Sequence, residues 1–203
     1  MACVRPLALD PSKFQRLQRS NSYPMTTDFK GKSRPIPLRK QKLRLYVALY
    51  IRDDPPKPND FHWALYLHEI NGKGGTKYHV KGRQGRWMAD HTETKGLLKE
   101  FLLVGLFQIA AVPDGLQRQV DEAFRSLDEK INEVDVTCRT WVFRVLEILR
   151  QSEQSLIQED MDALETEVKE WGNQHSLSAS KNEQPRPIGI SKSCNARICE
   201  SSE

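Results

Sequence analysis

The chain has 203 residues, of which 38% are hydrophobic and 29% are charged. This length and apolar content allow one hydrophobic core of ordinary size and argue against two well-formed domains. No stretch of the sequence approaches the roughly 20 apolar residues that a membrane-spanning helix needs, and the N-terminus lacks the apolar core of a secretory signal. We therefore expect no transmembrane segment.

The formal net charge of +4 is unevenly distributed along the chain. Residues 1–42 contain ten lysine and arginine residues against Asp10 and Asp28, a net charge of +8, which leaves −4 for the rest. Pro, Ser and Thr interrupt any apolar periodicity in this segment, so we predict a disordered basic leader over 1–42. Its charges are dispersed and have few aromatic neighbours, so no specific nucleic-acid binding is expected.

The four cysteines, Cys3, Cys138, Cys194 and Cys199, do not have the pattern of a disulfide framework. Three of them lie in polar terminal segments, and only Cys138 lies in a segment that is expected to fold. This usage is typical of a reducing compartment. We expect a cytoplasmic location, with a mitochondrial or a nuclear one as alternatives.

The first half of the folded region reads as a series of strands. The β-forming residues at 43–51 predict the first strand, and the prolines within 53–60 predict a loop after it. The sequence HWALYL at 62–67 predicts the second strand. The glycine-rich segment at 71–75 suits a hairpin connection to a third strand at 76–82, which contains YHV. These two strands are therefore expected to be antiparallel neighbours.

The second half begins with a nearly unbroken apolar run at 101–112, which predicts a strand buried on both faces, with Gly105 as a candidate bulge. Apolar residues spaced three and four apart predict an amphipathic helix over 115–131. The same spacing is stronger in CRTWVFRVLEIL, which predicts a helix starting near Cys138, with Asp135 or Thr137 as its cap.

A last amphipathic helix is predicted over about 156–171, and its acidic side chains suit either a solvated face or a partner-binding surface. After it the chain becomes rich in Ser, Asn and Pro, so we predict a disordered polar tail over 173–203. The fold class is therefore α+β: a domain over 43–172 with a small antiparallel sheet packed against helices.

Three residues carry the functional prediction: His62, His79 and Cys138. A cysteine attacks a carbonyl as its thiolate, which a helix N-terminus and a neighbouring imidazole both favour. Cys138 begins a predicted helix, and the two histidines lie on predicted neighbouring strands. This pattern is typical of a cysteine nucleophile with a histidine base.

The order HWAL, YHV, Cys-x-x-Trp-Val resembles an uncharacterised fungal protein family and, more widely, the circularly permuted papain-like (NlpC/P60-like) proteins. These include the lecithin:retinol acyltransferase and phospholipase/acyltransferase families. The resemblance spans about residues 43–150. It implies that Cys138 is the nucleophile, His62 its base and His79 the residue that orients His62. The implied function is a hydrolase or acyltransferase acting on an ester, amide or isopeptide bond through a thioester, with an acyl or peptide substrate of unknown identity.

A second interpretation is open for the same residues. Cys138 lies on the same helical stripe as Trp141 and Val145, and free cysteine is among the most buried residue types, so it also fits as core. Thr137 and Arg139 flank it where the acyltransferases carry Asn and Glu. The alternative function is a non-catalytic papain-like scaffold that acts as a binding or regulatory module.

No cofactor and no metal site is expected. Zinc sites usually contain closely spaced ligand pairs, and His62, His79 and Cys138 are far apart in the sequence. The sequence leaves the oligomeric state open.

Overall fold

The computed structural model of the chain describes residues 43–70, 74–133, 135–152 and 155–194. The leader predicted over 1–42 lies outside these ranges, as do residues 195–203 of the predicted tail. Among the described residues, no helix is both long and apolar enough to cross a membrane.

The described ranges form an α+β fold with a six-stranded mixed sheet and three α-helices. The strands are β1 (Leu43–Ile51), β2 (Phe61–Glu69), β3 (Gly75–Arg83), β4 (Arg86–Thr94), β5 (Leu103–Val112) and β6 (Ile188–Ile190). The helices are α1 (Gln117–Arg125), α2 (Cys138–Gln151) and α3 (Met161–Ser180), with 3₁₀ turns at Leu97–Lys99 and Asp128–Lys130.

The strand order across the sheet is β4-β3-β2-β1-β5-β6. All neighbouring strands are antiparallel except β5 and β6, which are parallel. The predicted β2–β3 hairpin is confirmed, with Leu65 opposite Tyr78. The sheet is mixed, where the sequence predicted an antiparallel one, because β6 arrives from a helix and not from a hairpin turn.

The two faces of the sheet have different environments. On the helix face, alternate residues of β1 and β2, such as Val47, Phe61 and Trp63, pack with α2 and α3. On the other face, here called the second face, Tyr46 and Tyr66 belong to a smaller cluster that includes Leu97 of the first 3₁₀ turn.

The strand β5 contains two bulges in its pairing with β1. Leu49 lies opposite Gly105 and Tyr50 opposite Leu103, so Val104 is an extra residue on β5. A second shift occurs between Leu45 and Tyr46. The bulge that the sequence predicted around Gly105 is therefore present. The β5 side chains are buried on both faces, as the unbroken apolar run predicted.

The strand β4 was not predicted. Its sequence, RWMADHTET, has no clean apolar alternation, because β4 is an edge strand that is largely accessible to solvent. Part of its outer edge is occupied by a side chain: the Trp87 amide donates to Asn132 Oδ1 at 2.8 Å, and Asn132 Nδ2 donates to the Trp87 carbonyl at 2.9 Å.

Two helices begin within two residues of the predicted start and the last begins about five residues later, and two of the three end elsewhere. The predicted 115–131 helix is divided into α1 and the second 3₁₀ turn, and its apolar residues Val120, Phe124 and Ile131 are still buried. The N-cap of α2 is Thr137, whose side chain accepts a hydrogen bond from the Thr140 amide at 3.2 Å. The last helix, α3, starts after the Asp160 cap and continues to Ser180.

The sequence predicted a disordered tail over 173–203, but the described part of this segment contains the end of α3 and the strand β6. α3 extends past the predicted boundary, β6 pairs with β5, and Cys194 is only 2% exposed. Cys194 was expected in a polar, exposed end. The polar composition of the surrounding segment misled because β6 is only three residues long, too short to show a hydrophobic period, and is attached to β5 through backbone hydrogen bonds. Gln108 of β5 donates to the sulfur of Cys194 at 3.4 Å.

We predict that Gly105→Ala destabilises the protein by about 1–3 kcal/mol, the usual cost of overpacking. A Cβ at this position would lie 2.3 Å from the Pro187 carbonyl oxygen and 2.8 Å from the Trp171 ring. The measurement is urea unfolding followed by circular dichroism. The control is Gly96→Ala, whose added Cβ meets nothing within 4 Å. Equal unfolding free energies for the two variants would contradict the close approach of residues 186–190 to β5.

Candidate functional site

The two predicted histidines lie together on the second face. His62 is on β2 and His79 on the neighbouring strand β3, and His62 Nε2 lies 2.8 Å from His79 Nδ1. Their ring centroids are 5.1 Å apart in an edge-on arrangement. One ring must donate and the other accept, since this is a hydrogen bond between two ring nitrogens. The expected proximity of the two histidines is therefore present.

A carboxylate lies behind the histidine pair. Asp90 of β4 has an Oδ2 atom 3.4 Å from His79 Nε2, and it also forms an ion pair with Lys81. The His79 Nε2 atom is buried and makes no hydrogen bond within the described ranges, so the contact with Asp90 is electrostatic. The hydrogen bond from Lys81 is the main cause that lowers the pKa of Asp90. The charged carboxylate favours a proton on His79 Nε2, which makes His79 Nδ1 the acceptor for His62.

Both histidines are held in the neutral form. Burial is the largest cause that lowers the pKa of His62 to about 4, and the positive charges of Arg52, Lys77 and Lys81 act in the same direction. Burial also lowers the pKa of His79, followed by the effect of His62 itself. At neutral pH the pair is therefore an uncharged, hydrogen-bonded unit.

A second polar group lies beside the pair. The hydroxyl of Tyr50 donates to Glu100 Oε2 at 2.8 Å, and Lys77 Nζ contacts the same carboxylate at 2.9 Å. The Tyr50 ring is 6.0 Å from the His62 ring. Burial, followed by Glu100, raises the pKa of Tyr50, so its hydroxyl stays protonated. Neither Glu100 nor Asp90 had a signal in the sequence, because both reach this face only through the tertiary fold.

Cys138 lies on the other side of the sheet. It is the first residue of α2, belongs to the core on the helix face, and is 7% exposed. Its thiol lies 4.0 Å from the carbonyl oxygen of Phe61, the residue next to His62. Consecutive strand residues point to opposite faces, so the Phe61 side chain faces the thiol and the His62 ring faces away. The structure brings His62 and His79 together and does not bring Cys138 to them.

The same separation bears on metal binding. Within the ranges that the structure describes, no group of three or more His, Cys, Asp or Glu side chains could hold a metal ion. His62, His79 and Cys138 cannot share one ion because the sheet lies between them.

A cavity of about 420 Å³ opens on the second face, further along β2 from the histidine pair. Its floor is aromatic, with Tyr46, Tyr66 and His68. The remaining lining residues are three cations and a set of mostly apolar residues: Arg44, Lys95 and Lys99, and Ile70, Gly96, Leu97, Leu98, Leu106 and Ile188. The sequence did not indicate a cavity here.

The fold and these sites define an α+β protein with a mixed six-stranded sheet, helices on one face, and polar and aromatic sites on the other. The model of DUF6914, a family of unknown function, matches residues 42–183, and the chain belongs to this family. No curated protein and no solved structure matches the chain. The family match carries neither a papain-like fold nor a fungal origin, so both stay predictions from the order of the motifs.

We predict that the histidine pair makes stability depend on pH below neutrality. Unfolded histidines titrate near 6.5, whereas the folded pair has lowered pKa values, that of His62 being about 4. Between these limits the unfolded chain binds more protons, so the stabilisation is complete above about pH 6.5 and is lost as the pH falls towards 4. His62→Gln/His79→Gln should reduce the loss of unfolding free energy between pH 7 and 4.5 by about 1–3 kcal/mol.

The measurement is urea unfolding of both proteins across this range, with the difference between them isolating the pair from other titrating groups. Parallel stability curves for the two proteins would show that the pair does not titrate as its burial requires.

Proposed function

We propose that the protein is a non-catalytic binding module whose ligand site lies on the second face of the sheet. The single observation that carries this proposal is the separation of Cys138 from His62 and His79 by the sheet. The second face contains both the polar network around the histidine pair and the cavity, which makes it the favoured location of a ligand.

The chemistry of a nucleophilic thiol supports this choice. A base has to lie within hydrogen-bond reach of the atom that it deprotonates, directly or through one water. The Cys138 thiol instead lies 4.0 Å from the Phe61 carbonyl oxygen, which can accept a hydrogen bond but cannot act as a base for the thiol.

The state of the histidine pair supports the same choice. A base for Cys138 would have to direct a free ring nitrogen at the sulfur, whereas His62 directs Nε2 at His79 on the second face. The pair is surrounded by Asp90, Lys81 and Lys77, all of which have partners on that face. These contacts fit a polar network that fixes the geometry of a binding surface.

The competing function is the cysteine-dependent hydrolase or acyltransferase implied by the motif order, in a permuted papain-like arrangement. It would need a conformation in which the Cys138 sulfur and a His62 ring nitrogen approach to about 4 Å at an accessible groove. The two functions therefore differ in whether Cys138 is reactive in the native protein.

We predict that native Cys138 reacts with iodoacetamide at least about 100-fold more slowly than Cys138 in the urea-denatured protein, because a buried thiol is shielded from the reagent. The extent of alkylation is read on the Cys138 peptide by mass spectrometry as a function of time, between pH 6 and 9. The site-resolved readout separates this residue from the other cysteines.

The control is His62→Ala under the same conditions. On our proposal, this variant labels as slowly as the native protein. Rapid labelling of Cys138 below pH 8 that becomes slower in His62→Ala would demonstrate an activated thiolate. That result would refute the proposed binding function and support the cysteine-dependent enzyme.

A further inference from the structure

The cavity on the second face has the chemistry of a site for a small amphipathic anion. We propose that it binds a monocarboxylate with an aliphatic body of about ten carbons. This inference rests on the proposed function, since it names the ligand class of the same face. It is carried by three features of the cavity: an aromatic floor with a hydroxyl suited to donation, a lining whose charged residues are all cations, and an apolar wall with an exposed rim.

The floor offers a hydrogen-bond donor for a ligand. Tyr46 lines the cavity and is only 3% exposed, and its hydroxyl makes no hydrogen bond to any residue in the described ranges. The neighbouring Tyr66 hydroxyl is already engaged, at 3.3 Å from His68 Nδ1. The hydroxyl oxygen retains accessible surface although the residue is almost buried, so Tyr46 is suited to donate to a bound oxygen.

The charge of the lining is positive. Arg44, Lys95 and Lys99 line the cavity, and no Asp or Glu does among the described residues. Within the described part of the chain, none of these three forms an ion pair, whereas Lys77 and Lys81 on the same face are each paired with a carboxylate. Positive charge around a partly enclosed space attracts anions and disfavours cationic ligands.

The wall and rim are apolar. Leu97 and Leu106 are almost completely buried in the wall, and Ile70, Leu98 and Ile188 are exposed by 36%, 38% and 55%. A single exposed aliphatic side chain is ordinary, but three around one cavity form an apolar patch that a ligand can cover. A purely polar anion such as inorganic phosphate would leave this patch in water.

The cavity volume sets the size of the ligand. A volume of about 420 Å³ is within the range of small-molecule sites. At about 30 Å³ for each water-sized group, it accommodates roughly a dozen non-hydrogen atoms. A carboxylate with a ten-carbon chain has this size and combines the required charge with an apolar body.

The test is isothermal titration calorimetry of the full chain with sodium decanoate, decylammonium chloride and decanol. These probes share the chain and differ in the charge of the polar end. We expect saturable, one-to-one binding of decanoate, with a dissociation constant at least tenfold lower than for the other two, because only the carboxylate carries the charge that the cations of the lining attract and accepts hydrogen bonds in which both partners are ionised. Equal affinities for the three probes, or binding of decanoate without saturation, would overturn the proposal.

Substitutions locate the site. Lys95→Gln/Lys99→Gln should weaken decanoate binding at least tenfold, and Tyr46→Phe should weaken it several-fold while leaving the apolar wall in place. The matched control is Lys130→Gln/Lys181→Gln, which removes two exposed lysines that do not line the cavity. An equal effect of the two double variants would show that decanoate responds to overall charge and not to this site.

The failure of this inference and the failure of the proposed function have different signatures. If decanoate does not bind and native Cys138 stays unreactive, the ligand class is wrong and the binding module stands. If Cys138 labels rapidly in a His62-dependent manner, the binding module is wrong whatever the calorimetry shows.

Discussion

The alternation of side chains along β2 is the constraint on which the arrangement of the molecule depends. A strand directs consecutive residues to opposite faces, so the burial of Phe61 and Trp63 under the helices requires the His62 ring to lie on the second face. A shift of one residue in the pairing with β1 would move the Phe61 and Trp63 side chains to the second face and the His62 ring to the helix face. The nine-residue register between β1 and β2 therefore determines both the core and the candidate sites.

Much of the fold could be predicted because local patterns dominate in the centre of the sheet. β1, β2 and β5 are rich in apolar β-forming residues, and the α2 boundary has a threonine cap followed by strongly periodic apolar residues. The edges were harder to predict. β4 is polar because solvent covers much of it, and β6 is only three residues long, so neither shows the hydrophobic period that identifies a strand.

The candidate site could be predicted only in part. The proximity of the two histidines followed from the hairpin, but the separation of Cys138 from them depends on which face of β2 receives α2. The alternation within HWALYL contained a signal for this: Trp63, Leu65 and Leu67 form the more apolar set, and an amphipathic helix packs on such a set. Contributions from distant segments, such as Glu100 and the cavity cations, had no comparable local signal.

The contact between Asn132 and Trp87 has a consequence for how the protein behaves among copies of itself. An exposed strand edge offers unpaired amides and carbonyls that can recruit a strand from another molecule. The Asn132 side chain has the same donor and acceptor groups as a peptide unit, and it uses both on the outer edge of β4. It acts as a one-residue substitute for a seventh strand, so intermolecular growth of the sheet is blocked at this point by a single side chain.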